Sequence, residues 1–204
     1  MPRLKQAIVA RLGRRGYLIG YSLVSLALFY WLILAAGRAP FVEFWPQTSW
    51  QRWLVNVAMP AAIALIVFGA GAPNPFAFGG AQGFDPARPG IAGVTRHPLM
   101  WGFALWAGAH LLANGDLAHL IFFGTLLLLA LAGVWMGERR ARRLLGADWA
   151  RLTARTSILP GWALVSGRWR PAQAPPWRRL VIAVVIWAVL FHLHEPVIGY
   201  PPAP

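Results

Sequence analysis

The sequence predicts an all-α fold, a polytopic membrane helical bundle of about five transmembrane helices with a cytoplasmic N-terminus. Three observations carry this prediction. Of 204 residues, 58% are hydrophobic, only six are acidic and twelve are Trp, a composition unlike that of a soluble domain. Five runs nearly free of charge, 17–36, 54–72, 98–114, 117–137 and 180–198, each approach the length of about 20 residues that spans a bilayer core. The Lys and Arg residues alternate between the segments joining these runs, seventeen on the side of the N-terminus and two on the other, as the positive-inside rule requires.

The formal charge of +13 is therefore a signature of topology. Membrane lipids are the expected surroundings, and nucleic acid is not an expected partner. With no Cys, disulfides, iron–sulfur clusters, thiolate ligands and Cys-x-x-Cys-His haem attachment are excluded. The first sixteen residues are basic and lack a long apolar core, so no signal peptide is expected there.

Residues 1–16 form the basic cytoplasmic N-terminal segment. In it Leu4, Ile8, Val9 and Leu12 lie between Arg3, Lys5, Arg11, Arg14 and Arg15, a weak amphipathic pattern suited to an anionic leaflet. Residues 17–137 form a four-helix membrane core. Its first span, Tyr17 to Ala36, is unbroken, and Trp45, Trp50 and Trp53 follow as an interfacial aromatic belt. The second span carries Pro60 and the small residues Ala61, Ala62, Ala64 and Gly69 for close helix contact. Its Asn56 is expected to bond to a neighbouring helix.

The cytoplasmic loop from Gly71 to Val94 includes Pro73-Asn74-Pro75, Gly79-Gly80, Gly83-Phe84-Asp85-Pro86 and Arg88-Pro89-Gly90. It has no Gly-Lys-Ser/Thr, which excludes a phosphate-cradling loop, and its length marks it as functional or mobile. The third span is short. Asn114-Gly115-Asp116 then turns into the fourth, with Gly115 read as a left-handed helix stop and Asp116 as an N-cap. Gly124, Gly133 and Gly137 are expected to pack the fourth span.

Residues 138–179 read as a basic cytoplasmic segment. A helix leaves the membrane, breaks at Gly146, and gives a short amphipathic helix carrying Trp149 and Leu152 before the Pro-rich stretch 171–176. Residues 180–204 supply the fifth transmembrane helix and an outer tail.

This threading gathers polar residues at both faces, where ionisable groups in a membrane suggest function. On the cytoplasmic side are Arg96, His97, Glu138, Arg139, Arg142, Asp148, Arg155 and Thr156; on the outer side are His110, Asn114, Asp116, His119, His192, His194 and Glu195. Glu138 needs a partner, and Arg142 sits one turn along. His97 and His110 are separated by roughly 20 Å of helix and cannot share a site.

His110 shares a stripe with Phe103, Trp106, Ala107 and Asn114. A histidine there more commonly bonds to a neighbouring carbonyl, but an imidazole among aromatics over a small residue also suits a haem face. On the fifth span, His192 above Ala188 and Val189 is expected to face the bundle and His194 the interface. His110/His192 and His110/His119 are the ligand pairs this leaves.

The succession Phe84-Asp85-Pro86, Pro89-Gly90-Ile91, Thr95-Arg96-His97-Pro98, Trp101-Gly102, Ala109-His110-Leu111-Leu112-Ala113-Asn114-Gly115-Asp116, Leu145-Gly146, Trp149 and Arg155-Thr156-Ser157 resembles the NnrU family of bacterial membrane proteins from about residue 11 to 160. That resemblance implies a multi-pass protein of the bacterial inner membrane associated with denitrification through nitrite and nitric oxide reductase expression. Its partners would be a respiratory nitrogen-oxide reductase or its assembly factors. The segment is also similar to plant zeta-carotene isomerase, a membrane enzyme with a b-type haem.

By that similarity a haem-ligand histidine falls on His110, and a Cys one turn earlier falls on Ala107. The isomerase's other ligand lies in a first helix, upstream of the segment matching Arg3 to Tyr17. This chain is expected to begin after that helix, leaving His192 or His119 to complete a haem b site. More remotely, Arg96-His97-Pro98 resembles isoprenylcysteine and phospholipid methyltransferases, with Glu138, Gly146 and Trp149 matching loosely and Arg139 standing where a second acid is usual. This resemblance implies an S-adenosylmethionine site of Arg96, His97, Glu138 and Arg155. A non-enzymatic membrane scaffold is the third expectation.

Overall fold

The structure, a computed structural model, describes residues 2–77 and 82–203. Gly79 and Gly80 lie outside them, as do the side chains of Arg3, Leu4 and Lys5 in the expected amphipathic pattern. All five predicted spans are helices. They are α1 (Pro2–Arg38), α2 (Ser49–Gly69), α4 (Pro98–Ala113), α5 (Leu117–Leu145) and α8 (Trp177–Ile198), with a single turn, α3 (Ile91–Val94), between the second and third. Four are long and apolar enough to cross a membrane; α4, of 16 residues, is the short one. At 1.5 Å per residue α4 extends about 24 Å, less than a bilayer core of about 30 Å.

The order of packing is α8, α2, α4, α5, α1. Short α4 is the central member, held between α2 and α5, while the outer helices turn apolar side chains such as Tyr21, Leu23, Leu26, Val184 and Leu193 outward. In lipid such exposure costs nothing, because hydrocarbon solvates these side chains as well as a protein core does. Helix α1 contains one non-helical residue, Gly13, at φ 69°. A positive φ carries no Cβ penalty at glycine, so the chain bends where the basic segment meets the span.

Small residues set the central contacts. A Cβ on Gly102 would lie 2.6 Å from Ile66 Cγ1 and 2.8 Å from the Ala62 carbonyl oxygen, and one on Gly69 would meet Pro98 Cγ at 2.6 Å. The α2 and α4 backbones therefore approach as closely as small-residue seams allow. Gly133 likewise admits Met100, whose sulfur lies 2.6 Å from its would-be Cβ. Gly124 faces open space, so the packing expected there is absent.

Every neighbouring pair runs antiparallel, and the contacts sort into two ends. At one end Phe44 N and Trp45 N donate to the Gly115 carbonyl at 2.7 and 3.2 Å, and Leu117 N donates to Val42 O at 2.9 Å. Gly115 is not in a left-handed conformation. Glycine is needed because the Trp45 carbonyl packs directly against its Cα. Asn56 also departs from expectation: its amide donates to Arg52 O one turn back and to Pro202 O in the tail, at 3.0 and 2.8 Å, not to another helix.

At the opposite end, α5 stops at Gly146, at φ 49°, and passes through a 3₁₀ turn into α6 (Trp149–Thr153). The helix, Gly break and short helix read from the sequence are thus present. A further turn, α7 (Trp162–Val165), precedes the Pro-rich stretch. Arg179 of α8 donates to Val67 O and Phe68 O at 3.1 and 2.5 Å, satisfying carbonyls that the end of α2 leaves without helical partners.

Candidate functional site

The polar residues divide between these two ends, as the threading predicts. At the Arg-rich end the centre is Glu138, near the end of α5. Arg96 Nη2 and Nε donate to its two carboxylate oxygens at 2.6 and 3.1 Å, and His97 Nε2 bonds to Oε2 at 2.9 Å. Arg142, the local candidate, is not the partner. The arginine and histidine arrive from 42 and 41 residues away, at the entry to α4, where Pro98 occupies the first helical position. Proline suits that position because its missing N–H would be unpaired anyway.

The Arg96 backbone is held as firmly as its side chain. Its N–H donates to Ser157 O at 2.8 Å and its carbonyl accepts from Asn74 Nδ2 at 3.0 Å, while Nη1 reaches Thr156 Oγ1 at 3.0 Å. Thr95 Oγ1 donates to Ile158 O at 2.7 Å. Phe76 and Trp149 flank the guanidinium, with ring centroids 5.7 and 5.6 Å from Cζ, within cation–π range. Arg96, His97, Thr95, Thr156, Ser157 and Asn74 are all buried.

Four segments distant in sequence therefore meet on one ion cluster. Sequence reading found Arg96, His97, Glu138 and Thr156; it missed Asn74, Phe76 and Thr95. The signal for Asn74 was its place between two prolines, where an amide that bonds the backbone two residues on makes a turn. Arg155 does not join the cluster: it is exposed and donates to Ala87 O at 3.1 Å, fastening the loop after α2. In that loop Arg88 and the Ala87 N–H hold the Asp85 carboxyl below its ordinary pKa.

At the opposite end, His110 Nδ1 lies 2.9 Å from the Trp106 carbonyl. Since a carbonyl can only accept, Nδ1 carries a proton, and in the neutral ring Nε2 then holds the lone pair. Nε2 has no hydrogen-bond partner among the described residues. Trp106 and Phe123 rings stand 5.8 and 5.2 Å from the imidazole. Asn114 serves structure, donating to His110 O at 2.7 Å.

Asp116 caps α5 as expected. Its Oδ1 accepts from Ala118 N and His119 N at 3.1 and 3.2 Å, and its Oδ2 pairs with His119 Nδ1 at 2.7 Å. The His119 ring also stacks on Phe123, 6.1 Å away, so Phe123 lies against both imidazoles.

The α8 histidines reverse the expected orientation. His192 is exposed and meets Phe191 edge-on, whereas His194 is half-buried and bonds to Tyr200 O at 2.7 Å. The physical reason is that α8 packs on α2 and not on α4. The face carrying small residues was expected inward, but which face turns in is set by α2. Among the described residues no three His, Asp or Glu side chains converge as a metal site.

The family model described as NnrU protein matches residues 1–202. The 15-cis-zeta-carotene isomerases of Arabidopsis thaliana and Zea mays, described as chloroplastic, are each 37% identical over 79 residues, 39% of this chain. That stretch covers 22% of either plant protein. No solved structure matches the chain. With the match extending over nearly every residue of a five-helix membrane bundle, the chain belongs to the NnrU family.

Proposed function

We propose that this protein is a haem-associated membrane protein in which His110 would hold the haem iron through a ring nitrogen, for isomerase-like redox chemistry. The observation that carries the proposal is the state of that imidazole. Nδ1–H is anchored on the Trp106 carbonyl, and Nε2 is unpartnered beside aromatic rings. A histidine that ligates iron needs this arrangement, because the carbonyl fixes the tautomer and aims the free lone pair. The partial identity with the plant isomerases supports the same reading.

Bound at His110, a b-type haem would supply a redox-active iron. The chain's own contribution would be to orient Nε2 and to set the Trp106 and Phe123 rings beside it. Of the α8 histidines, His194 is half-buried and His192 exposed. The family resemblance extends the proposal to a bacterial inner membrane, in support of denitrification beside a nitrogen-oxide reductase.

The S-adenosylmethionine alternative has less support. Arg96 Nε and Nη2 and His97 Nε2 are already engaged by the Glu138 carboxylate, and Arg96 Nη1 by Thr156, so a cofactor carboxylate would have to displace Glu138. Arg155 is engaged elsewhere. Calorimetric binding of the cofactor at millimolar concentration would restore that alternative.

The test is optical. Protein purified in mild detergent and supplied with haem should give a Soret band and a reduced-minus-oxidised difference spectrum. His110→Ala should lose both, while His192→Ala retains them. No Soret band in the unsubstituted protein, or an unchanged one in His110→Ala, overturns the proposal.

A further inference from the structure

A second site lies on the other side of α4. Leu112 is two positions beyond His110, roughly 200° around the helix, and it borders a cleft of about 360 Å³ together with Trp45, Pro46, Thr48, Trp50 and Gln51. Small-molecule sites begin at about this size. The cleft lies at the outer end of the bundle, where α2 begins. Its Trp45 wall is fixed, because Trp45 Nε1 donates to Leu112 O at 3.0 Å and Trp45 N to Gly115 O at 3.2 Å. Trp50 opposite is exposed.

Gln51 is the chemical centre of this cleft. The residue is only 4% exposed. Its Oε1 accepts from Thr48 N at 2.5 Å and lies 3.2 Å from Thr48 Oγ1. A backbone N–H can only donate, so the amide cannot be flipped: oxygen faces Thr48, and the NH₂ group points away. That group has no acceptor among the described residues, yet it is not sealed from solvent. Gln51 itself lines the cleft. An acceptor entering the cleft gives that donor a fixed partner in place of solvent.

We propose that this cleft binds the head of a membrane-soluble quinone, a flat ring bearing carbonyl oxygens on an apolar tail. Each feature answers one part of the site. Tryptophan walls suit a planar ring, whose faces stack on indole. The free Gln51 amide suits a carbonyl, which accepts without donating. A position at the membrane interface lets an isoprenoid tail remain in lipid while the ring lies between α2 and α4.

The proposal does not depend on His110 or on haem, and its test uses neither. A decyl-substituted benzoquinone is titrated into the full chain in lipid nanodiscs while Trp fluorescence is recorded. Saturable quenching is expected. Gln51→Glu preserves the oxygen that holds Thr48 but removes the amide donors, and should weaken binding about tenfold, the worth of one hydrogen bond. Leu112→Trp fills the cleft from an exposed position, leaves Gln51 untouched and should abolish saturation.

Three results overturn the proposal. One is quenching that never saturates, which is partition into lipid. Another is displacement by short-chain phosphatidylcholine or by decylbenzene as effectively as by the quinone, which makes the occupant a lipid or any apolar chain. The third is binding unchanged in a folded Leu112→Trp variant.

Discussion

Glu138 shows how much one side chain can hold. It accepts from an arginine and a histidine at the start of α4, and the arginine's remaining groups bind the segments after α2 and after α6. Burying charges is expensive, and such clusters are weak sources of net stability, but removing one member strands the others. Glu138→Ala and Arg96→Met should each cost about 3–5 kcal/mol. The double variant should cost clearly less than their sum, because no unpaired charge is left buried. Denaturation of the detergent-solubilised protein measures all three.

Arg155→Ala, by contrast, removes only an exposed hydrogen bond to Ala87 O and should stay within about 0.5 kcal/mol. A large loss there would mean that Arg155 reaches the cluster after all. At the other end, Asp116→Ala removes the acceptor of two N-terminal amides of α5 and should cost about 1 kcal/mol. It also releases the His119 ring.

At the scale of helices, α4 depends on how closely α2 approaches it. Gly102→Val puts side-chain atoms where Ile66 and the Ala62 carbonyl already lie. Overpacking of this kind costs about 1–3 kcal/mol, and the thermal midpoint in detergent should fall accordingly. Gly124→Ala, facing open space on α5, should leave that midpoint unchanged or raise it, since Ala is the better helix former. Equal effects at the two glycines would show that the α2–α4 seam is looser than described. Periodicity found these helices but could not rank their glycines, because a small residue looks the same on a lipid-facing stripe as on a packed one.

For the molecule as a whole, five antiparallel helices put the Arg96–Glu138 cluster at one membrane face and the His110 end at the other. Reporter fusions within 39–48 and after residue 199 should be active outside the cytoplasm, and fusions within 82–90 and 171–176 inside it. If the reporters at 39–48 and 171–176 fell on the same side, α4 would not cross, and the separation of the two polar ends would be lost.

The number of helices and the grouping of polar residues at two ends were legible in the chain itself, because apolar length marks each segment able to meet a bilayer. The Asp116 cap and the Gly146 break were legible too, since each works within one turn. Packing alone decided that Glu138 pairs with Arg96 and His97 instead of Arg142, that Asn56 holds the tail, that Gly115 serves a close approach instead of a left-handed turn, and that His194 lies nearer the bundle than His192. These outcomes join residues tens to more than a hundred positions apart, and spacing within one helix carries no information about which neighbour it will face.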